Sequence, residues 1–278
     1  MSLIPESNKK LKILWWNCNK RFYLYSNNIK KNYSGSYFDG RYDLIFVSET
    51  NLGYDALPNF KDYSLYADIE KKTCTYGGIA WYVKDSLAKH VFRIRYSDSH
   101  ISFQLDITPG YEYFGVYIQP EGARYFNPSM FSRLASDIIS SRENGMIPLI
   151  GGDFNSRIGD PSSFVNSSSW SYNINIDTIT NKHGRTFFRD FCSTCDIMPI
   201  NCVKFRNLDI DNDFTVIGGN GRSQIDFALT DAQGKREIQC FKILNEDWHL
   251  SDHRPIVLEI EVSAYIDIFQ GCYHEHRI

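Results

Sequence analysis

The chain carries no surplus of charge of either sign: its 278 residues hold 30 Lys and Arg against 33 Asp and Glu, a net charge of −3. A uniformly basic surface for gripping nucleic acid is thereby excluded, and any phosphate contacts must gather on one face. Long apolar runs are missing too. None approaches the roughly 18 residues that a membrane-spanning helix needs, and the opening MSLIPESNKK lacks the apolar centre of a signal peptide. The expectation is an intracellular protein with no membrane partner. No low-complexity tract, solenoid-period repeat or block of like charge divides the chain. Seven cysteines scattered from Cys18 to Cys272 are odd in number, which fits reduced thiols better than a disulfide framework.

What the chain does have is apolar material in short pieces, 42% hydrophobic and 15% aromatic, enough to bury a core. Runs rich in β-branched and aromatic residues, bounded by Gly, Pro, Asn or Asp, read as strands. They are LKILWWN (11–17), DLIFVSE (43–49), GIAWYV (78–83), ISFQLDI (101–107), YFGVYI (113–118), IPLIGG (147–152), QIDFALT (224–230) and PIVLEIEV (255–262). Helical spacing is confined to residues 128–144 and 185–195. The pattern predicts a strand-rich α/β protein with one domain over residues 11–262. Residues 1–10 form a short extension and 263–278 an appendage. The polar stretch 160–175 is a surface loop within the domain, because strands lie on both sides of it.

Polar residues recur at the strand ends. Asp153 and Asn155 follow IPLIGG two apart, so both side chains leave the same side of the chain. Asn17 and Asn19 follow the first run, Glu49 ends the second, Asp226 opens QIDFALT, and Asp252-His253 stand before the last. Taken singly, each is an ordinary polar turn. Taken together they match the way α/β proteins gather functional groups where strands meet loops. Glu49, Asp153, Asp252 and the amides of Asn17, Asn19 and Asn155 are hard oxygen donors of the kind Mg²⁺ takes. A histidine beside a carboxylate, as at His253, is an inert surface pair, a metal ligand or an acid-base group.

The motifs WWNCN, VSET, VYIQP, GGDFNS, FTVIGGNGRSQIDF and LSDHRPI, in this order, resemble the endonuclease/exonuclease/phosphatase superfamily over residues 11–262. NKHGRTFFRDFC followed by MPIN, together with the Gly-rich FTVIGGNGRSQIDF, is similar to the endonuclease domains of non-LTR retrotransposons. The resemblance implies a four-layered α/β sandwich, two mixed β-sheets packed face to face with helices outside, and a site at one edge of both sheets. It implies a Mg²⁺-dependent phosphodiesterase, with Mn²⁺ as the substitute ion, most simply a DNA endonuclease that nicks one strand and leaves a 3′-hydroxyl. Another superfamily phosphoesterase (an abasic-site or RNA nuclease, or a phosphatase) and a catalytically silent nucleic-acid-binding module are the alternatives. The implied partners are DNA and a reverse transcriptase domain in a longer parent protein; the implied state is a monomer, and the implied location nuclear.

Carried over by residue, the resemblance makes Glu49 the metal ligand, assisted by Asn17 and Asp252. Asp153 and Asn155 bracket the reacting phosphate, Tyr117 donates to a phosphate oxygen, and His253 is oriented by Asp226. Asn19 and the hairpin residues Asn220, Arg222 and Ser223 fall on the substrate side. Whether Asp153 or His253 takes the proton stays open. Asn19 stands where the abasic-site enzymes carry Asp, and VYIQP has one residue more than the usual Tyr-x-Pro. Two cysteine-containing groups invite a zinc reading, Cys192-x-x-Cys195 with Cys202, and Cys272 with His274 and His276. The first lies in a helix-like apolar segment, where buried thiols are the simpler account.

Overall fold

Apolar runs without strict alternation suit strands covered on both faces. The structure, a computed structural model, describes residues 10–22, 37–71, 77–108, 110–124, 126–161, 172, 175–205, 208–219, 221–245 and 251–262. In it the first run forms β1 (Lys10–Asn17). Ile13 and Trp15 enter one apolar cluster and Leu14 and Trp16 another, all four buried.

The first sheet has seven strands, in the order β10 (Asp209–Ile210), β14 (Ile238–Ile243), β15 (Ile256–Glu261), β1, β2 (Leu44–Ser48), β4 (Ile79–Lys84) and β3 (Tyr63–Tyr66). The second has six: β5 (Val91–Tyr96), β6 (His100–Leu105), β7 (Tyr111–Tyr117), β8 (Ile147–Asp153), β13 (Asp226–Thr230) and β9 (Met198–Pro199). β1 runs parallel to β2 and β7 parallel to β8, whereas β1–β15 and β8–β13 are antiparallel, so both sheets are mixed. A separate hairpin joins β11 (Val216–Gly218) to β12 (Gly221–Ser223).

The sheets pack face to face, and small residues set their separation. A Cβ at Gly115 of β7 would overlap the Phe46 ring of β2, and one at Gly151 of β8 would overlap the Trp15 indole. Trp15 Nε1 donates to the Phe114 carbonyl at 3.2 Å and Trp81 Nε1 to that of Ile101 at 3.0 Å. The indoles buried between the sheets therefore keep their polar atoms paired.

Helix α1 (Met130–Glu143) turns Met130, Phe131, Leu134 and Ile138 inward. Helix α2 begins at Lys182–Arg185, where the Asn181 side chain accepts from Gly184 N–H and caps the first turn. It continues through π-helical turns at Thr186–Cys192 and ends at Ser193–Cys195. Phe187, Phe188 and Phe191 seal the outer face of the second sheet beside α1. The outer face of the first sheet is covered by aromatic side chains, with Phe38 stacked on Phe60 at 3.7 Å and Tyr82 edge-on to both.

The expected sandwich of two mixed sheets with helices outside is the observed fold. All eight runs read as strands are strands, and both helical segments are helices. Strands β3, β5 and β14 were not legible in the sequence. β3 and β5 sit at sheet edges, where one covered face relaxes the apolar pattern. Among the described residues no helix is long and apolar enough to cross a membrane. Residues 1–9 and 263–278, with Cys272, His274 and His276, lie outside the described residues, as do most of 160–175 and Asn220.

Candidate active site

Strand register assembles the site. On the second sheet Tyr117 lies opposite Asp153 and Asp153 opposite Asp226, so three strands bring three candidate residues to one level. On the first sheet Asn17 pairs with Ser48, which leaves Glu49 just past the strand end. Glu49 and Asn155 take left-handed backbone, with φ of 51° and 49°. A bulky residue at positive φ is strained; here the turn swings each side chain from its strand end into the cleft between the sheets.

The side chains meet across that cleft. Asn17 Nδ2 donates to Glu49 Oε1 at 3.1 Å and to Asp153 Oδ2 at 2.8 Å. The Tyr117 hydroxyl donates to the same Glu49 oxygen at 2.9 Å. Asn155 holds Asp153 twice, from its backbone N–H to Oδ1 at 2.7 Å and from Nδ2 to Oδ2 at 2.9 Å. His253 Nδ1 faces both oxygens of Asp226, at 3.1 and 3.0 Å. Asp153, Asp226 and His253 place possible ligand atoms all within 4.8 Å of one another.

Asp252 lies at the rim, where Oδ1 accepts from Asn19 Nδ2 at 2.6 Å. Asn17 Oδ1 accepts the Asn19 backbone N–H at 2.9 Å, so in this arrangement its amide nitrogen, not its oxygen, faces the carboxylates. Arg222 and Ser223 belong to β12, which stands beside the cleft and shares a small cavity with Asp252, Gly218 and Arg157.

Burial and like charge govern the titration. Burial pushes the Asp153 carboxyl up, and the opposed Asp226 and nearby Glu49 push it further against the opposing pull of His253. For His253, burial disfavours the charged ring, but Asp226 by charge and hydrogen bond, then Asp153 and Asp252, outweigh it and raise the value to about 10. The imidazole is therefore held as the cation near neutral pH.

Several positioning residues were given no role by the sequence. Ser251 Oγ donates to the Asn17 carbonyl at 2.8 Å and accepts His253 N–H at 3.0 Å, tying the end of β1 to the loop that enters β15 within the first sheet. Thr215 Oγ1 accepts from Asp226 N–H, and Asn201 Nδ2 donates to the Asp226 carbonyl. Arg254 Nη1 donates to Asp213 and to the Phe214 carbonyl, and its backbone N–H to the Thr215 carbonyl, anchoring the hairpin's base. Arg157 pairs with the buried Asp177 at 2.9 and 2.7 Å beneath the hairpin. Ser251, Arg254 and Asn201 stand inside quoted motifs. A motif marks the place but does not say which backbone group a hydroxyl or amide will serve.

The donor set fits a divalent cation. It is made of hard carboxylate oxygens crowded enough to raise the Asp153 carboxyl, which is the environment a small dication relieves.

No family model matches the chain, and no curated protein matches it. Solved structures do. A 3′-5′ exonuclease from Neisseria meningitidis superposes with a TM-score of 0.65 at 16% identity, over 90% of this chain and 100% of that one. A Neisseria 3′ phosphatase bound to a product DNA hairpin gives 0.63 at 14% identity, over 90% and 99%. The AP endonuclease of Leishmania major gives 0.64 at 16% identity, over 91% and 88%. This is the exonuclease and AP-endonuclease fold. In that fold the residues described above occupy one edge of both sheets, and Ser251, Thr215 and Asn201 brace them from behind.

Proposed function

We propose that the chain is a Mg²⁺-dependent phosphodiesterase that cleaves nucleic acid, and within that class a DNA endonuclease of non-LTR retrotransposon type acting beside a reverse transcriptase domain. One observation carries the chemistry: Glu49, Tyr117, Asp153, Asn155 and an Asp226–His253 pair converge on one cleft although they come from five separate segments. The order and spacing of FTVIGGNGRSQIDF and LSDHRPI support the retrotransposon reading, as does the hairpin beside the cleft. The DNA-processing activities of the three similar structures support nucleic acid as the substrate.

Glu49 and Asp153 would hold the cation, with Asp252 at the rim; when bound, it would neutralise charge on the phosphate and the leaving oxygen. The protein's own groups do the rest. Asp226 accepts from His253 Nδ1–H and so fixes the ring, leaving Nε2–H to donate to a phosphate oxygen as negative charge builds. Since His253 keeps its proton near neutral pH, the base falls to the neighbouring Asp153, which in its ionised form accepts a proton from the attacking water. Asn155 and Asn17 donate to Asp153 and hold its carboxylate in one orientation. Tyr117 fixes Glu49 in the same way.

The deciding experiment offers supercoiled plasmid, an abasic oligonucleotide, RNA and a phosphoinositide in parallel, with Mg²⁺ or with chelator. Nicked plasmid with 3′-hydroxyl ends, formed only with the ion, is the expected result. Cleavage confined to the abasic strand or the RNA would move the chain to another nuclease class, and no metal-dependent cleavage of any nucleic acid would end the proposal.

A further inference from the structure

Beside the catalytic row lies a cavity that the phosphate chemistry above does not use. It encloses about 510 Å³, within the range of sites that take an organic ligand. Tyr117 forms part of its wall, so the cavity opens next to the residue that holds Glu49. Gly77 packs close to the buried Tyr117 ring, where a Cβ would stand 3.4 Å from Cε1. Leu52, Tyr54 and Ile79 supply an apolar and aromatic lining. Gln119 supplies an acceptor: its Oε1 is buried with no hydrogen-bond partner in the protein. Such an atom is costly unless something fills the need.

The charge of the lining narrows the occupant. Asp68 and Asp98 line the cavity with Lys71, whose ammonium is already paired with Asp98 at 3.0 Å. A phosphate finds no net positive charge there. An uncharged planar ring with an N–H for Gln119 and a face for tyrosine fits each feature. The nuclease reading supplies a source for that ring one nucleotide from the reacting phosphate.

We propose, resting on that reading, that the cavity receives an unpaired nucleobase of the nucleotide flanking the scissile phosphate on the Tyr117 side. A base inside a duplex cannot reach a pocket in the protein, so the preferred substrate carries a bulge, mismatch or single strand beside the cut. Two features recognise it, stacking on Tyr54 and donation to Gln119 Oε1. The site selects for local unpairing, and the catalytic row cuts.

The test uses one oligonucleotide scissile site, fully paired or with the flanking nucleotide unpaired, and compares kcat/KM with Mg²⁺. The wild-type protein is expected to favour the unpaired form at least tenfold, and Tyr54→Ala and Gln119→Leu each to reduce the ratio several-fold. A direct readout places 2-aminopurine at the flanking position and follows its fluorescence on binding to His253→Ala. Quenching that disappears when Tyr54→Ala is added supports the pocket. If neither substrate is cut, the nuclease reading falls and this proposal with it. If both are cut at equal rates, or if neither variant moves the ratio or the quenching, the pocket assignment alone is overturned.

Discussion

His253 shows how a single side chain acquires its chemistry from neighbours far away in sequence. Asp226 is 27 residues distant, yet it faces Nδ1 at 3.0 Å and holds the ring charged. Replacing His253 or Asp153 by Ala should reduce plasmid nicking by about 10²–10⁴, the usual contribution of a positioned proton-transfer group, with the circular dichroism spectrum unchanged; nicking at wild-type rate by either variant rules out the assigned roles. The pair also makes a pH prediction for metal-free protein. A raised histidine pKa stabilises the fold fully below the free value of 6.5, and that contribution is lost as pH rises through about 10. A raised carboxyl at Asp153 acts in the same direction, since its ionisation disfavours the folded state above the free value of 3.8. The melting temperature in chelator should therefore fall from pH 6.5 to 10. In Asp226→Asn the charge that outweighs burial is gone, His253 loses its proton at lower pH, and the fall over this window should be shallower. An equal or steeper fall would mean that Asp226 does not set the charge of His253.

At the scale of the element, what matters is how closely the two sheets approach. β8 brings Ile147 and Leu149 to the core between the sheets and then Gly151 against the Trp15 indole, before delivering Asp153 to the cleft. Gly152 has φ of 138°, and a Cβ there would strike the Val116 carbonyl of the parallel neighbour. The strand can carry Asp153 to its place only because these two positions have no side chain. Gly151→Ala should destabilise the protein by about 1–3 kcal/mol through overpacking, read as a lower urea midpoint. Activity per folded molecule should drop as well, because the displacement is passed two residues on to Asp153. The strands were legible because apolar β-branched runs survive wherever both faces are covered, as in β1 and β2. β14 was not: Gln239 and Lys242 break its apolar pattern, and only its pairing with β15 makes IQCFKI a strand.

For the whole molecule, the cleft is a joint between two halves. Asn17 and Glu49 come from the first sheet and Tyr117, Asp153 and Asn155 from the second, so a cation bound among them would clamp the sheets together. Saturating Mg²⁺ should raise the melting temperature of the wild-type protein, by about 2.7 kcal/mol of stability at a hundredfold excess over its dissociation constant. Glu49→Gln should lose most of that gain while unfolding as before in chelator. A Mg²⁺ shift of the same size in both proteins would remove Glu49 from the ligand set. Net charge adds a further expectation at this scale. With a balance of −3, few phosphates are neutralised at once, so the logarithm of DNA affinity should fall with the logarithm of salt less steeply than for a broadly basic binder.

The sequence by itself determined the chemical types and the order of the groups: an Asp before Asn155, a Glu after VS, a His after Ser-Asp, each at the end of an apolar run. Local forces suffice for that much, since strand propensity and polar termination act over a few residues. Only the tertiary structure decided which groups meet. The Tyr117–Asp153–Asp226 row follows from register across three strands, and the Asp226–His253 pair from the approach of one sheet to the other. The Ser251 link, the left-handed turns at Glu49 and Asn155 and the cavity beside Tyr117 are likewise products of packing. Burial between two sheets is a property of the folded whole, and it is burial that raises the Asp153 carboxyl and leaves Gln119 Oε1 without a partner.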